Sequence, residues 1–225
     1  MLSLSQKLSL NRMRPQGGWT PRSDNVVAWY KMATGITLNG SDVSQWSDSS
    51  GNGYHMLQSD AAQQPAYSAG VLTFNPANIE CLELNSTQIS LANDFTIGIR
   101  FNVAATTGVL LADQDATGEF LRFQSSNTLR LKVDGTAPLD LTLNSGTFTG
   151  EQYVVLTRSS GTVNFWVDGV QQTDSGTKTG TADIDAIGVR KVDLNPYDGT
   201  IREIQIYSST SADLTANVNT WLATL

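Results

Sequence analysis

The sequence predicts an all-β fold: an antiparallel two-sheet jelly-roll sandwich with an extended N-terminal arm and a short C-terminal helix. Three observations carry that expectation. Only 16% of the 225 residues are charged, against roughly 25% in an average soluble protein, while glycine occurs 19 times. Apolar and polar residues alternate in short runs parted by turn dipeptides at fairly even spacing. A helical apolar period is convincing once, at the C-terminus. With 40% apolar residues, one domain of this length can fill its core and bury roughly 70% of its unfolded surface.

The arm comes first. In residues 1–25, Lys7, Arg12, Arg14 and Arg22 stand against Asp24, a balance of +3 that leaves −10 for the rest of a chain of net charge −7. Leu2, Leu4, Leu8 and Leu10 are separated by polar residues in a period of two, interrupted once, which reads as an extended segment. Pro15, Gly17, Gly18 and Pro21 then punctuate the connection to a body expected over residues 26–225. Strands are expected from VVAWYK onward, at FTIGIRFNV (95–103), GVLLA (108–112), EFLRFQ (119–124), LRLKV (129–133), YVVLTR (153–158), VNFWV (163–167) and TIREIQIYS (200–208). In LRLKV, Leu129, Leu131 and Val133 share a face opposite Arg130 and Lys132; in VNFWV the inner set is Val163, Phe165 and Val167. Asp134-Gly135 and Asp168-Gly169 are hairpin turns, because a type I′ turn needs positive φ at both central residues. In the last segment Leu214, Val218, Trp221, Leu222 and Leu225 form one helical stripe, with Ser211 placed to cap it. Trp29, Trp166 and Trp221, on predicted strands or the helix, are read as core.

Five stretches together resemble the laminin G-like domain of the concanavalin A-like lectin/glucanase superfamily. They are WYKMATGITLNGSDVSQWSDSSGNGYHMLQ (29–58), VLTFNPANIECLEL (71–84), FTIGIRFNV, YVVLTRSSGTVNFWVDGV (153–170) and IGVRKVDLNPYDGTIREIQIYSS (187–209). The resemblance spans about residues 26–225 and implies the sandwich; one fold hosts many sites, so it leaves function open. The opening MLSLSQKLSL is similar to the starts of small phage virion proteins that carry such a domain.

Charge and motif exclude several functions. An acidic body is unsuited to holding a phosphate backbone, so nucleic acid is not an expected partner. No apolar run of 18 residues is present, so membrane insertion is not expected, and the N-terminus lacks the apolar core of a secretory signal. The single cysteine, Cys81, makes no intramolecular disulfide and reads as a small buried hydrophobe. Glycosidases of the resembled superfamily carry alternating carboxylates on one strand; Glu80, Glu83, Glu119, Glu151 and Glu203 do not form that pattern. His55 sits in a glycine-rich loop without a nucleophile turn. An enzyme is therefore not expected.

Binding is more open. Calcium takes oxygen ligands, which Asp48 and Asn52 in one loop, or Asp193, Asn195 and Asp198 before the last strand, could supply. The competing reading is that these side chains bond their own turns. A glycan needs aromatic platforms beside polar groups, and Trp46, Tyr54, Tyr67 and Tyr197 lie in loop-like segments. The combined expectation is a non-enzymatic phage virion protein, a capsid decoration or a tail or fibre component assembled in the host cytoplasm. Its arm (Leu2, Leu4, Lys7, Leu8, Leu10, Arg12, Arg14) would dock on other virion proteins while the sandwich meets host-surface glycans. The alternative is a carbohydrate-binding module of a cell-surface or secreted bacterial protein.

Overall fold

The computed structural model describes residues 18–85, 88–113, 120–134, 136–189 and 194–225. The arm residues from Leu2 to Arg14 named above, and Asp193, lie outside them.

In chain order the strands are β1 (Ala28–Tyr30), β2 (Ile36–Asn39), β3 (Asp42–Trp46), β4 (Met56–Leu57), β5 (Ala66–Ser68), β6 (Val71–Phe74) and β7 (Leu82–Leu84). The middle of the chain supplies β8 (Ile89–Leu91), β9 (Phe95–Val103), β10 (Gly108–Ala112), β11 (Leu121–Ser125), β12 (Thr128–Leu131), β13 (Leu139–Thr142) and β14 (Gly150–Ser159). The remainder are β15 (Thr162–Val167), β16 (Val170–Gln171), β17 (Gly176–Thr177), β18 (Ala182–Ile184), β19 (Ala186–Ile187) and β20 (Gly199–Tyr207), followed by helix α1 (Ala212–Leu222).

All pairings are antiparallel; β8 and β18 form a two-stranded sheet of their own, and the rest build two layers. The back layer runs β1-β20-β9-β14-β15, with β16 and β17 beyond β15. The front layer runs β2-β3-β4-β7-β19-β10-β11-β12-β13. The β5/β6 hairpin joins them at a corner, β6 pairing with β20 and β5 with β3. The two-sheet sandwich read from the sequence is therefore the observed architecture. Alternation sorts the side chains as expected: Ile97, Ile99, Phe101, Leu156, Phe165, Ile204 and Ile206 meet Leu121, Phe123, Leu129, Leu131 and Leu141 in the main core. The Asp168-Gly169 turn has φ of 49° and 79° and closes the two-residue hairpin between β15 and β16. Cys81 is buried, with the Gln58 amide 3.0 Å from its sulfur.

A second apolar cluster lies on the outer face of the back layer. There Trp29, Tyr153, Val155 and Tyr207 receive Leu214, Val218 and Leu222 of α1. Ser211 caps the helix as predicted, its hydroxyl accepting from the Leu214 N–H at 3.0 Å. Close approach depends on Gly98: a Cβ there would stand 2.6 Å from Val218 Cγ1 and 3.0 Å from Leu222 Cδ1. Residues 18–25, assigned to the arm from the sequence, are packed onto this cluster. Trp19 meets Trp221 edge-on with centroids 6.1 Å apart, Pro21 is buried in a 3₁₀ turn over Pro21–Asp24, and the Trp19 indole donates to Asp24.

Between helix and sheet lies Glu203, fully buried. Its Oε1 accepts from the indoles of Trp29 (2.8 Å) and Trp221 (2.7 Å) and from the Gln205 amide (2.8 Å), while Oε2 accepts from the Met32 N–H at 3.1 Å. The chain of bonds continues from the Tyr207 hydroxyl to Gln205 Oε1 at 2.9 Å. Burial, with Asp24 and Glu203 nearby, pushes the Tyr207 pKa above its ordinary value. Every donor gathered here would be stranded without its acceptor. Among the described residues no helix is long and apolar enough to cross a membrane.

Two substitutions test this account. Gly98→Val is expected to cost about 1–3 kcal/mol by overpacking against α1, read as a lowered denaturation midpoint with little change in slope. Glu203→Leu is expected to cost about 3 kcal/mol or more, because two indole N–H groups and an amide lose their acceptor, with a shift in tryptophan emission. Unchanged stability in both variants would refute the role given to this layer.

Candidate functional site

The loop after β3 has a structural task. Asp48 is buried; its Oδ1 accepts from the N–H groups of Trp29 (2.9 Å) and Ser50 (2.8 Å), and its Oδ2 from the Ser50 hydroxyl (2.6 Å) and the Gly53 N–H (3.1 Å). The Ser49 N–H donates to Trp29 O at 2.7 Å, and the Asn52 amide donates to Val26 O (3.1 Å) and Val27 O (2.9 Å). His55 Nδ1 accepts from the Asp48 N–H at 3.0 Å. The loop thereby seals the edge of β1, whose N–H and C=O groups would otherwise be open to another strand. Both carboxyl oxygens of Asp48 are occupied by donors and the Asn52 amide serves backbone carbonyls, as in the reading that these side chains bond their own turn.

Of the second calcium candidate, Asp193 lies outside the described residues. The Asn195 carbonyl accepts from the Val109 N–H at 3.0 Å, and the Asp198 carbonyl accepts from the N–H of Ala104 at 3.0 Å, so both residues bind the chain through their backbone. Among the described residues no group of three or more His, Cys, Asp or Glu side chains is placed to hold a metal ion.

Two of the four aromatic candidates are core. Trp46 is fully buried, tilted against Tyr30 with centroids 5.6 Å apart, and its indole donates to Lys31 O at 3.2 Å. Tyr197 is also fully buried, stacked on Phe123, with its hydroxyl donating to Asn102 O at 3.0 Å; burial, then Asp198, raises its pKa. Both are corrections, with one physical reason: large rings beside glycine-rich turns fill the ends of the sandwich core. Tyr54 and Tyr67 are half-buried against the same core.

The described glutamates are engaged. Glu80 accepts from Asn75 N–H (2.8 Å) and the Asn78 amide (3.0 Å), Glu83 has partners of its own, and Glu203 is held by its tryptophans. Glu151 lies between Arg100 and Arg202, each 2.8 Å away. On the outer face of the front layer Arg122, Arg130 and Asp140 stand in register, and Arg130 grips Asp140 through two bonds of 2.7 and 2.8 Å. That bonding holds the Asp140 carboxyl below its usual range. Charges, rather than rings, mark this row.

A groove of about 490 Å³ opens instead on the back layer, between α1 and the β14/β15 ladder. Its lining comes from two elements. Thr157, Ser159 and Trp166 belong to the sheet, and Ala212, Thr215, Ala216 and Asn219 to the helix. Pairing explains the placement. Trp166 lies opposite Val155 on the face turned away from Val163, Phe165 and Val167, so its ring is half-buried at the margin of the helix cluster. This revises the reading of Trp166 as core; the strict alternation of VNFWV already put it on the other face. On α1 the positions 212, 216 and 219 follow helical spacing on the side flanking the stripe Leu214, Val218 and Leu222. The Asn219 amide N–H donates to Thr215 O at 2.8 Å, and its Oδ1 is buried with no partner. No charged side chain lines the groove.

Known structures share this architecture. Trypanosoma rangeli sialidase in complex with the inhibitor DANA aligns at a TM-score of 0.59 and 16% identity, covering 88% of this chain and 32% of its own. The chain thus spans about a third of the length of that sialidase. Domain 4 of AbnA, a GH43 extracellular arabinanase from Geobacillus stearothermophilus, in complex with arabinotriose, aligns at 0.55 and 18% identity over 87% of this chain and 98% of that domain. A GH54 α-L-arabinofuranosidase aligns at 0.55 and 12% identity, over 81% of this chain and 50% of that one. At such identities the likeness is one of fold. No curated protein matches the sequence. The family model for laminin G-like domains matches residues 78–213, more than half of the chain and most of both layers, and on that match the protein belongs to the concanavalin A-like lectin/glucanases superfamily.

Proposed function

We propose that the protein is a non-catalytic glycan-recognition sandwich displayed on a phage particle, anchored to capsid or tail proteins by its basic N-terminal arm. The groove between α1 and β15 carries the glycan reading: a half-buried indole beside hydroxyl and amide groups matches a sugar, which offers a CH face and hydroxyl edges. The non-catalytic reading is supported by the described glutamates, which are committed to tryptophans, arginines and backbone rather than paired across a cleft. The display reading is supported by charge, +3 on residues 1–25 against −10 on the rest. Trp19, fixed against Trp221, gives such an arm a firm root on the back layer. The positive charge of the arm favours docking on an acidic partner surface. Virion proteins and host-surface glycans are then the partners, and nucleic acid and membrane are not.

A second reading, a carbohydrate-binding module of a cell-surface or secreted bacterial protein, is favoured by the likeness to nearly all of AbnA domain 4, a structure that holds arabinotriose. One experiment separates them. The chain lacking residues 1–17 is expected to melt at the same temperature as the whole chain yet fail to enter particles when co-expressed with the other virion proteins. Equal incorporation with and without the arm would sink the display reading. A glycan array probed with the whole chain is expected to show selective retention with no release of sugar; turnover of any glycan would sink the non-catalytic one.

A further inference from the structure

We infer that the open edge of β2 is a strand-acceptor site and that its occupant is the leucine-bearing segment of the same chain, residues 2–10, laid beside it as an antiparallel strap; neither the glycan nor the particle reading is needed for this. The sandwich protects its other edges. β1 is sealed by the loop at 47–53, the Thr142 and Asn144 N–H groups at the end of β13 donate to Asp174 Oδ2 (2.7 Å) and Gln172 Oε1 (2.9 Å), and β15 is flanked by the two-residue strands β16 and β17. Among the described strands β2 pairs with β3 alone. The Ser47 N–H donates to Gly35 O at 2.8 Å, and Ile36 and Thr37 follow in register opposite Trp46 and Gln45. By antiparallel alternation the N–H and C=O of Ile36 therefore point away from β3, to the open side. Ile36 and Leu38 stand opposite Trp46 and Val43, both core residues, so their side chains lie on the inner face; yet Leu38 is 47% exposed, because no strand lies beyond it. From Met32 to Ser41 no residue is charged.

Pattern, reach and root name the occupant. Leu2, Leu4, Leu8 and Leu10 fall on even positions with Gln6 between them, while Ser3, Ser5, Lys7 and Ser9 take the odd ones, so that as a strand the segment has one apolar and one polar face. Set beside β2, the apolar face continues the inner face and covers Leu38, and the face of Lys7 meets solvent. The arm leaves the body close to this edge. Trp19 is held by Trp221, and Arg22 Nε donates to Ser49 O at 2.8 Å, on the loop whose Ser47 bonds Gly35. Residues 11–17 span at most about 25 Å, against about 10 Å between the layers of a sandwich, so the segment can return to its own edge. A tether this short gives an effective concentration in the millimolar range, which favours the edge of the same chain over that of a second copy. Because the root lies at the Gly35 end, the segment runs antiparallel to β2, and Leu8 and Leu10 are the leucines that meet its four residues. Strap and edge are stored together, and docking the arm on another protein releases both.

Amide hydrogen exchange in the whole chain tests this, set against the double variant Leu8→Asp and Leu10→Asp, whose substitutions touch no core residue. The Ile36 amide is expected to exchange about tenfold or more slowly in the unsubstituted chain. A synthetic peptide of residues 1–10, added at millimolar concentration, is expected to restore that protection to the double variant and to leave the unsubstituted chain unchanged, its edge being filled. A pairing of four residues opens on heating before the body melts, so the signal lies in exchange and not in the melting temperature. With Leu8→Cys and Leu38→Cys combined, mild oxidation is expected to join the two within one chain, Cys81 being buried. Equal exchange at Ile36 in the unsubstituted and doubly substituted chains would overturn the inference. Disulfide-linked dimers in place of monomers would overturn the assignment of the strap to its own chain.

Discussion

The hydrogen bonds that converge on Glu203 tie the helix to the sheet beneath it, beside the apolar cluster that the two share. One carboxyl group takes both indoles, an amide and a backbone N–H. It thereby fixes Trp29 of the first strand, Gln205 of the last strand and Trp221 of the helix in one place. Gly98 completes the arrangement by letting Val218 and Leu222 sit on the backbone of β9. A buried carboxyl group with this many partners is a specifying element: little else could satisfy the same donors in one geometry.

The groove is a consequence of that docking. A helix rests on a twisted sheet along a line, and here its apolar stripe covers β9 and β14 while β15 falls away beneath the opposite side. The space left over is bounded by whatever the helix and β15 turn toward it, which are threonines, alanines, Asn219 and Trp166. On the outer face of the front layer, by contrast, Arg122, Arg130 and Asp140 stand in a row in which Arg130 grips Asp140. Edge protection follows a similar economy. The loop at 47–53 closes β1 with its own side chains, and Asp174 Oδ2 accepts from the Thr142 N–H of β13 at 2.7 Å. Asp48, Asn52 and Asp174 thus serve backbone groups that would otherwise be open.

Much of the fold was legible in the sequence. The runs at 95–103 and 108–112 match β9 and β10 residue for residue, and the capped helix starts one residue after Ser211 as its pattern required. Such segments have strong local signals: alternation, a turn dipeptide, or a helical stripe behind a serine. The candidate site was less legible. Trp46 and Tyr197 neighbour glycine-rich turns and so resemble exposed loop aromatics, yet the corners of the sandwich draw them in. Trp166 carries the opposite lesson, since its strand places it outward and only the neighbouring helix makes the outer face partly buried.

The sequence by itself determined the layers, the alternation that assigns residues to the core, the cap of the helix and the opposition of a basic arm to an acidic body, because each depends on neighbours within a few positions or on composition. Only the tertiary structure decided where the helix lands, which carboxyl group is sealed beneath it, and that Thr157, Trp166 and Asn219 line one groove. Those outcomes join residues of different elements, up to 174 positions apart for Trp29 and Glu203, through shape and through buried donors seeking acceptors, and no local pattern encodes such a meeting.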